Sequence, residues 1–313
     1  MENQFLISIV IATYNRAHII GETLESVLEQ TYCGWECIVV DDGSIDATED
    51  VVSMFIAKDS RIRYFSRPKE LPKGPNSSRN YGIEKSVGNY IISLDSDDWI
   101  LPNHLEEKIA VFKDNEAIDA VLSKTIIVNN RKELIKKEDR TKISNNLLED
   151  FITLKISWYM HDIMWKKTFL SNKQLYNEKL LKWLDRDFHI RRLAESPKIY
   201  LIDEYLSLYR IHENSNSNNS DYKILESRHR AVIDIIGVLK EKRLLTPIIK
   251  LFFFKFQVQN LVVLYKSPRV FRMYSELIKK TFILNKNYFK WLLKLIVGYL
   301  AFKILGRGLK IIQ

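Results

Sequence analysis

The stretch NYIISLDSDDW, residues 89 to 99, decides how this chain of 313 residues folds. An apolar run with the length of one buried strand ends in three carboxylates, Asp95, Asp97 and Asp98. Residues i and i+2 of an extended segment point to the same side, so Asp95 and Asp97 converge. Two converging carboxylates repel each other unless a cation lies between them, and Mg²⁺ or Mn²⁺ takes such oxygen ligands. The alternative is that polar residues merely end a strand.

Upstream of this stretch, apolar runs alternate with segments of helical period. The runs are LISIVIA (6–12), ECIVV (36–40) and RIRYFS (61–66), and helices are predicted after each, the second from an acidic capping box at Asp46 to Glu49 and the third over 76–87. Strands that alternate with helices indicate right-handed crossovers and a mostly parallel sheet covered on both faces. The sequence therefore predicts an α/β fold.

Polar residues follow three of the predicted strands, at the carboxyl ends where ligands bind in sheets of this kind. In the crossover KGPNSSRNYG (73–82), Arg79 falls in the first turns of a helix. One rim of the sheet thus collects five carboxylates and an arginine. The polar positions are Thr13, Tyr14 and Asn15 after the first strand, Asp41 to Ser44 after the second, and Asp95 to Asp98 after the fourth.

Four motifs in this order, ISIVIATYNR (7–16), VVDDGSIDAT (39–48), SSRNYG (77–82) and ISLDSDDWILP (92–102), resemble the nucleotide-sugar-dependent glycosyltransferases of family 2. Members of that family have the GT-A fold. The resemblance implies an inverting transferase that moves a sugar from a UDP-sugar to a hydroxyl of a glycan acceptor. It also implies a place in cell-surface polysaccharide or lipid-linked oligosaccharide synthesis.

The resemblance also assigns residues to the donor site. Either Asp41 or Asp42 accepts a hydrogen bond from the imide N–H of uracil. The alternation of side chains along a strand does not decide which of the two it is. Asp95 and Asp97 hold Mn²⁺ or Mg²⁺ on the donor diphosphate, and His212 in the segment YRIHENSNS (209–217) either completes the metal shell or contacts the diphosphate. The other implied donor-binding positions are Thr13, Tyr14, Asn15, Arg79, Ser96 and Arg210, with Asp95 on the donor as well.

A general base is also needed, to deprotonate the acceptor hydroxyl. The segment KWLDRDFHIRRLAES (182–196) resembles the acidic catalytic motif of the family, with Leu184 where a Glu is usual and Asp185 at the following Asp. Asp187 is the alternative base, and a solvated helix start is the non-catalytic interpretation. Because of Leu184, a non-catalytic relative that binds sugar nucleotides is an alternative hypothesis.

The segment from Leu244 to Gln313 carries 13 Lys and Arg against the single acid Glu276, a net charge of +12. Its stretches without charge, such as Leu295 to Phe302, are all shorter than the roughly 20 residues that span a bilayer. Cations spaced among apolar and aromatic residues predict amphipathic helices on an anionic membrane surface. Packing on the catalytic domain or on a second subunit is the alternative. Nucleic-acid binding is disfavoured, since the cations form no polar stripe.

The predicted organisation is a catalytic domain over 1–220 and a helical, basic region over 221–313. Within the first domain, the nucleotide half covers about 1–100 and the acceptor half about 101–220. The opening residues lack a basic n-region and a cleavage site, which predicts a cytoplasmic protein, peripheral on the inner face of the membrane. A nucleotidyltransferase would need a Gly-rich loop after the first strand, and that loop is absent from IATYNRAHIIGE (11–22). The sugar, the acceptor, the linkage and the oligomeric state are not encoded in these motifs.

Overall fold

The computed structural model describes residues 5–211, 222–264 and Val297. The chain divides into two compact units, residues 1–218 and residues 219–313. The predictions for His212 and for most of the basic segment lie outside the described residues.

The described part of the first unit is built around one sheet of nine strands. Their order is β3-β2-β1-β4-β8-β6-β9-β5, and β7 pairs with β6. Strands β3, β2, β1 and β4 are parallel, β8 is antiparallel to both β4 and β6, and β9 is parallel to β6. The strands are β1 (Ile7–Thr13), β2 (Trp35–Asp41), β3 (Ile62–Ser66), β4 (Tyr90–Asp95), β5 (Trp99–Ile100), β6 (Ala120–Val128), β7 (Leu134–Lys137), β8 (Ile163–Lys166) and β9 (Ile199–Arg210).

Within residues 5–211, seven helices connect these strands, and a short 3₁₀ helix covers Met160–Asp162. They are α1 (Ile20–Leu28), α2 (Thr48–Lys58), α3 (Pro75–Lys85), α4 (His104–Asp114), α5 (Leu147–Ile152), α6 (Lys167–Leu170) and α7 (Leu184–Leu193). The predicted α/β fold is confirmed. Its four parallel strands are the four that the apolar runs predicted.

The second unit contains α8 (Tyr222–Glu241) and α9 (Pro247–Leu264), which pack against each other. His229 of α8 and Gln257 of α9 are joined by a hydrogen bond of 2.8 Å between Nδ1 and Oε1. Within residues 5–211 and 222–264, no helix is both long enough and apolar enough to cross a membrane.

The continuous apolar runs form strands because both faces of the parallel sheet are covered. Every residue of β2 is buried, and helix α3 packs closely on β1 through Gly82. A Cβ atom at Gly82 would lie 2.5 Å from Cγ1 of Val10. The absence of a side chain there lets α3 approach the sheet, and this approach brings Arg79 of the same helix to the polar rim.

The start of helix α2 and the end of helix α3 differ from the prediction. Helix α2 begins at Thr48 without the predicted capping box, because Asp46 Oδ1 instead accepts the backbone N–H of Thr48 at 3.1 Å. Helix α3 ends at Lys85 rather than at residue 87, since Ser86 is extended and its hydroxyl donates to the carbonyl of Ile83 at 2.6 Å. In both cases a short polar side chain bonds the local backbone.

Candidate active site

The carboxyl ends of β1, β2 and β4 bring the predicted polar residues to one rim. Thr13 at the end of β1 pairs in register with Asp41 of β2, and Ala12 pairs with Asp95 of β4. The acids of β2 and β4 therefore flank the end of β1 on opposite sides. This is the arrangement that alternation of strands and helices predicted.

Asp41 is buried and bonded within its own turn. Its Oδ2 accepts the backbone N–H groups of Gly43 at 3.2 Å and Ser44 at 2.8 Å, and its Oδ1 accepts the hydroxyl of Ser44. Both carboxylate oxygens thus shape the turn after β2. The hydroxyl of Ser44 in turn accepts the backbone N–H of Asn15 at 2.8 Å, which ties the turn to the end of β1.

The hydrogen bonds to Asp42, by contrast, converge on one oxygen. Its Oδ1 accepts Nε of Arg67 and, at 3.1 Å, the backbone N–H of Gly74. The backbone N–H of Asp42 donates to the carbonyl of Thr13 at 2.9 Å. The neighbouring acids Asp41 and Asp42 therefore have different environments.

The remaining residues after β1 lie at the same rim. Asn15 has a left-handed backbone, with φ of 52°, and its Oδ1 accepts the N–H of Ile45 at 2.9 Å. Tyr14 is exposed, and Nζ of Lys73 lies 4.1 Å from the centre of its ring. The hydroxyl of Thr13 is buried without a hydrogen-bond partner among the described residues.

The Asp95 and Asp97 side chains are half-buried, and each contacts an arginine. Nη2 of Arg79 lies 2.5 Å from Oδ1 of Asp95, and Nη2 of Arg16 lies 3.4 Å from Oδ2 of Asp97. Ser96 between them is buried. Within the described residues, no group of three or more His, Cys, Asp and Glu side chains forms a metal site. Two carboxylates nevertheless match what Mg²⁺ takes from a protein when a substrate diphosphate supplies further oxygens.

Arg79 connects the rim to helix α7. Burial disfavours its charge, but the carboxylates of Asp95 and Asp185 outweigh burial and raise the pKa of the guanidinium. Its Nε and Nη1 are buried without a hydrogen-bond partner among the described residues. Unpaired guanidinium nitrogens are costly to bury, so they mark a place where an anion would be stabilised.

Asp185 and Asp187, the two candidate bases, differ in their surroundings. Asp185 lies half-buried in the first turn of α7, where burial raises its pKa to about 6 while Arg79 acts in the opposite direction. The side chain of Asp187 is 0% exposed and accepts Nε of Arg191 on both oxygens, at 3.0 and 2.9 Å. Asp185 therefore shares the electrostatic environment of the rim, and Asp187 forms an ion pair within its helix.

Arg210 reaches the rim through its backbone. Its N–H donates to Oδ1 of Asp98 at 2.9 Å. Its guanidinium stacks on Trp99, 3.6 Å from the ring centre, and Nη2 lies 2.9 Å from Oε2 of Glu22. The guanidinium of Arg210 is therefore directed toward α1. It takes no part in the contact between Arg79 and Asp95.

Sequence reasoning did not find the partner of Asp98. Asp98 is 1% exposed, and its Oδ2 lies 3.3 Å from Nδ1 of the buried His161. Burial raises the pKa of Asp98, and His161 opposes this effect. His161 lies in the 3₁₀ helix, within a segment that carries no recognisable motif, so its position next to Asp98 depends on tertiary structure.

The sequence profile described as "Glycosyl transferase family 2" matches residues 8–174. An uncharacterised glycosyltransferase of Methanocaldococcus jannaschii is 30% identical over 213 residues, which are 67% of this chain and 72% of the relative. A GalNAc(5)-diNAcBac-PP-undecaprenol beta-1,3-glucosyltransferase of Campylobacter jejuni is 28% identical over 247 residues, covering 69% of this chain and 78% of the relative.

Solved structures share the fold at lower identity. TarS 1-349 of S. aureus, in complex with UDP-GlcNAc, has a TM-score of 0.63 and 19% identity, covering 87% of this chain and 83% of TarS 1-349. The mannosyltransferase PcManGT of Pyrobaculum calidifontis, in complex with GDP-Man and Mn²⁺, has a TM-score of 0.54 and 13% identity, covering 96% of this chain and 87% of its own. At these identities the likeness concerns the fold, and it confirms the predicted GT-A class.

Proposed function

The chain belongs to glycosyl transferase family 2, and we propose that it transfers a sugar from a UDP-sugar to a hydroxyl of a glycan acceptor with inversion. The observation that carries the proposal is the convergence of Arg79, Asp95 and Asp185 at the carboxyl end of the parallel strands. This reaction needs an arginine that binds phosphate, carboxylates that bind a metal, and a carboxylate with a raised pKa that acts as the base.

The nucleoside of the donor lies at the ends of β1 and β2. Of the two acids there, we assign Asp42 to the imide N–H of uracil. The support is that Asp41 uses both oxygens within its turn, whereas the hydrogen bonds to Asp42 converge on Oδ1 and leave Oδ2 for the base. The other positions assigned to the donor are Thr13, Tyr14, Asn15, Arg79, Asp95, Ser96 and Arg210, and the backbone N–H of Arg210 bonds Asp98 at the same rim.

The oxygen donors of Asp95 and Asp97 fit a divalent ion, Mn²⁺ or Mg²⁺, on the donor diphosphate, and His212 is assigned as a further ligand. When bound, the ion would neutralise charge on the departing nucleoside diphosphate. The unpaired nitrogens of Arg79 supply positive charge to the same phosphates. Arg79 also forms an ion pair with Asp95, so its positive charge lies beside one of the two carboxylates.

Asp185 acts as the general base. It accepts the proton of the acceptor hydroxyl while the hydroxyl oxygen attacks the anomeric carbon from the face opposite the diphosphate. The bond between the anomeric carbon and the diphosphate oxygen breaks, and UDP leaves with the electron pair. A pKa of about 6 keeps Asp185 ionised at neutral pH and leaves it basic enough to assist.

The acceptor is proposed to be a lipid-linked or cell-surface glycan. Support comes from the Campylobacter relative, whose name specifies an undecaprenol-linked substrate. Residues 1–220 form the catalytic part in this proposal, and residues 244–313 with their net charge of +12 hold the protein on the anionic inner surface of the membrane. Sedimentation with phosphatidylglycerol vesicles, compared with phosphatidylcholine vesicles, tests the membrane part.

Calorimetry against UDP, GDP, dTDP and CMP, each with and without Mn²⁺, tests the donor site. We expect UDP to bind most tightly, with a gain from Mn²⁺ that disappears in Asp97→Ala. UDP affinity that is equal with and without Mn²⁺ would contradict the metal assignment. Absence of binding for all four nucleotides would contradict the proposed function itself.

A further inference from the structure

Tyr176, a buried residue in the segment between α6 and α7, contacts both the proposed donor arginine and the helix that carries the proposed base. Its ring centre lies 5.6 Å from Cζ of Arg79, a distance at which a guanidinium is attracted to an aromatic ring. The same ring stacks on Phe188, three residues after Asp185 in α7, at 4.4 Å and 13°. One side chain therefore links Arg79 of α3 to the first turns of α7.

Helix α3 fixes the backbone of this tyrosine. Nδ2 of Asn80, the residue after Arg79, donates to the carbonyl of Tyr176 at 2.9 Å, and Oδ1 of Asn80 accepts the N–H of Tyr176 at 3.0 Å. One turn earlier in the helix, Nδ2 of Asn76 donates to the carbonyl of Asn177 at 2.7 Å. These side-chain amides satisfy the peptide groups of a segment that has no strand partner there. The backbone of Tyr176 is thus fixed relative to the turn of α3 that carries Arg79.

The hydroxyl of Tyr176 is fixed by the strand that ends at the proposed metal-binding acids. It forms a hydrogen bond of 3.0 Å with Oγ of Ser93, two residues before Asp95 on β4. Burial raises the pKa of this hydroxyl, so it stays neutral and keeps its proton for hydrogen bonding. Because α3 holds the backbone and β4 holds the hydroxyl, the ring beside Arg79 is held at both ends.

The guanidinium of Arg79 has less support from hydrogen bonds. Nη2 contacts Asp95 at 2.5 Å, while Nε and Nη1 are buried without a hydrogen-bond partner among the described residues. A planar group held at one nitrogen can rotate about that contact, and a rigid aromatic ring beside it restricts the rotation. The direction of the two remaining nitrogens decides how well they bind an anion, since charged hydrogen bonds depend on geometry.

We propose that Tyr176 is a positioning residue for the donor, whose ring holds the guanidinium of Arg79 so that Nε and Nη1 are directed at the diphosphate of the UDP-sugar. This inference rests on the proposed function, in which Arg79 supplies charge to that diphosphate. The residues assigned to the nucleoside lie at the ends of β1 and β2, away from these contacts. Tyr176 therefore contributes to the affinity for the phosphates and leaves the affinity for the uridine part unchanged.

The first test compares UDP with uridine on the full chain in Mg²⁺, by calorimetry for UDP and by ligand-observed NMR for uridine. Tyr176→Leu should weaken UDP about tenfold, while uridine stays within about twofold of its wild-type affinity. Tyr176→Phe keeps the ring and should retain UDP affinity within about threefold. Unchanged UDP affinity in Tyr176→Leu, or an equal loss for UDP and uridine, overturns the proposal.

A double variant shows whether the effect passes through Arg79. Because Tyr176 acts on the phosphates only by holding that guanidinium, Tyr176→Leu combined with Arg79→Gln should bind UDP within about twofold of Arg79→Gln alone. A further loss of about tenfold in the double variant would show that the two residues act independently, contrary to the proposal.

Tyr90→Leu is the matched control. Tyr90 is 4% exposed and its ring centre lies 4.4 Å from that of Phe112, as Tyr176 is 3% exposed and lies 4.4 Å from Phe188. Tyr90 begins β4, at the end away from the rim. Its loss should lower stability and leave the ratio of UDP to uridine affinity unchanged. A change of this ratio as large as that in Tyr176→Leu would indicate a general effect of removing a buried ring and refute the proposal.

Asn80→Ala provides a second variant that leaves the buried ring in place. It removes the amide that bonds the N–H and the carbonyl of Tyr176, and should reduce the affinity for UDP about threefold without weakening uridine. This variant tests the proposal even where Tyr176→Leu does not fold. Equal losses for both ligands would contradict it.

A measurement without nucleotide separates this proposal from the proposed function. The Nε–H signal of Arg79, assigned by its loss in Arg79→Gln, should exchange with solvent about tenfold faster in Tyr176→Leu than in the wild type, and at the wild-type rate in Tyr90→Leu. Equal rates in the wild type and Tyr176→Leu overturn the proposal. If the wild type binds no UDP, the proposed function fails, and the exchange rates still show whether Tyr176 holds Arg79.

Discussion

Arg79 of α3 contacts Asp95 of β4, with 2.5 Å between Nη2 and Oδ1, and the charge of the same guanidinium acts on Asp185 of α7. One cation therefore couples two carboxylates with different proposed roles. Asp95 forms a direct ion pair with Arg79, whereas burial raises the pKa of Asp185 to about 6, near that of a useful base.

Replacing Asp185 with Asn should remove sugar transfer while donor binding persists. We expect kcat to fall about 10² to 10⁴-fold, the range for loss of a general base, since the amide cannot accept the proton. The measurements are initial rates of UDP release with a glycan acceptor and calorimetry with UDP and Mn²⁺. Transfer at a rate near that of the wild type would show that another group deprotonates the acceptor.

The pH dependence of transfer should follow the ionisation of Asp185. Its pKa is raised to about 6, so kcat/KM should rise with pH through that value, as the carboxylate form that accepts a proton becomes populated. The profile is measured with saturating Mn²⁺ from pH 4.5 to about 8, a range that brackets this pKa. A rate that is flat between these limits would contradict the assignment.

The same raised pKa predicts the sign of a stability change. A carboxyl whose pKa is higher in the folded than in the unfolded state destabilises the fold above its folded pKa, and the effect vanishes below its unfolded pKa. Asp185→Asn should therefore increase the free energy of unfolding by about 1 kcal/mol at pH 8, a value discounted for partial exposure, and leave it unchanged at pH 3.5. Urea unfolding at the two pH values is the measurement, and an equal change at both would refute the buried-charge explanation.

Asp187→Asn should act on folding rather than on chemistry. It breaks the buried pair with Arg191 and leaves an uncompensated guanidinium, which we expect to cost about 3 kcal/mol. Urea unfolding measures the loss, and transfer by the fraction that remains folded should match the wild type. Loss of transfer without loss of stability would instead identify Asp187 as the base.

Asp41→Asn and Asp42→Asn should separate the two acids of β2. Asp42→Asn should reduce UDP affinity about tenfold and weaken the preference for UDP over CMP. The reason is that the carboxylate that accepts a hydrogen bond from the imide N–H of uracil is lost. Asp41→Asn should lower the melting temperature, since the turn through Gly43 and Ser44 loses bonds to a charged acceptor. The reverse pattern would assign the base contact to Asp41.

The parallel half of the fold and its rim could be predicted because their signals are local. Continuous apolar runs indicate buried parallel strands, and the polar residues directly after β1, β2 and β4 follow from strand ends. Asp98 and His161 are distant in sequence and meet only after β4 pairs with β8, and no periodicity encodes that pairing. The choice between Asp41 and Asp42 depends on the geometry of one turn, and the stacking of Tyr159 on Tyr209 depends on β9 and the 3₁₀ helix.

The packing at Gly82 has a consequence for attempts to change the sugar specificity by laboratory evolution. Any larger residue at this position meets Val10 and also Val40, 3.2 Å from the added carbon, so it would displace the helix that carries Arg79. Variants at position 82 would be lost from a selection because the sheet cannot accommodate them, whichever sugar is offered. Libraries should therefore keep Gly82 unchanged. Loss of variants at this position during selection would reflect a requirement of folding and would carry no information on the choice of donor sugar.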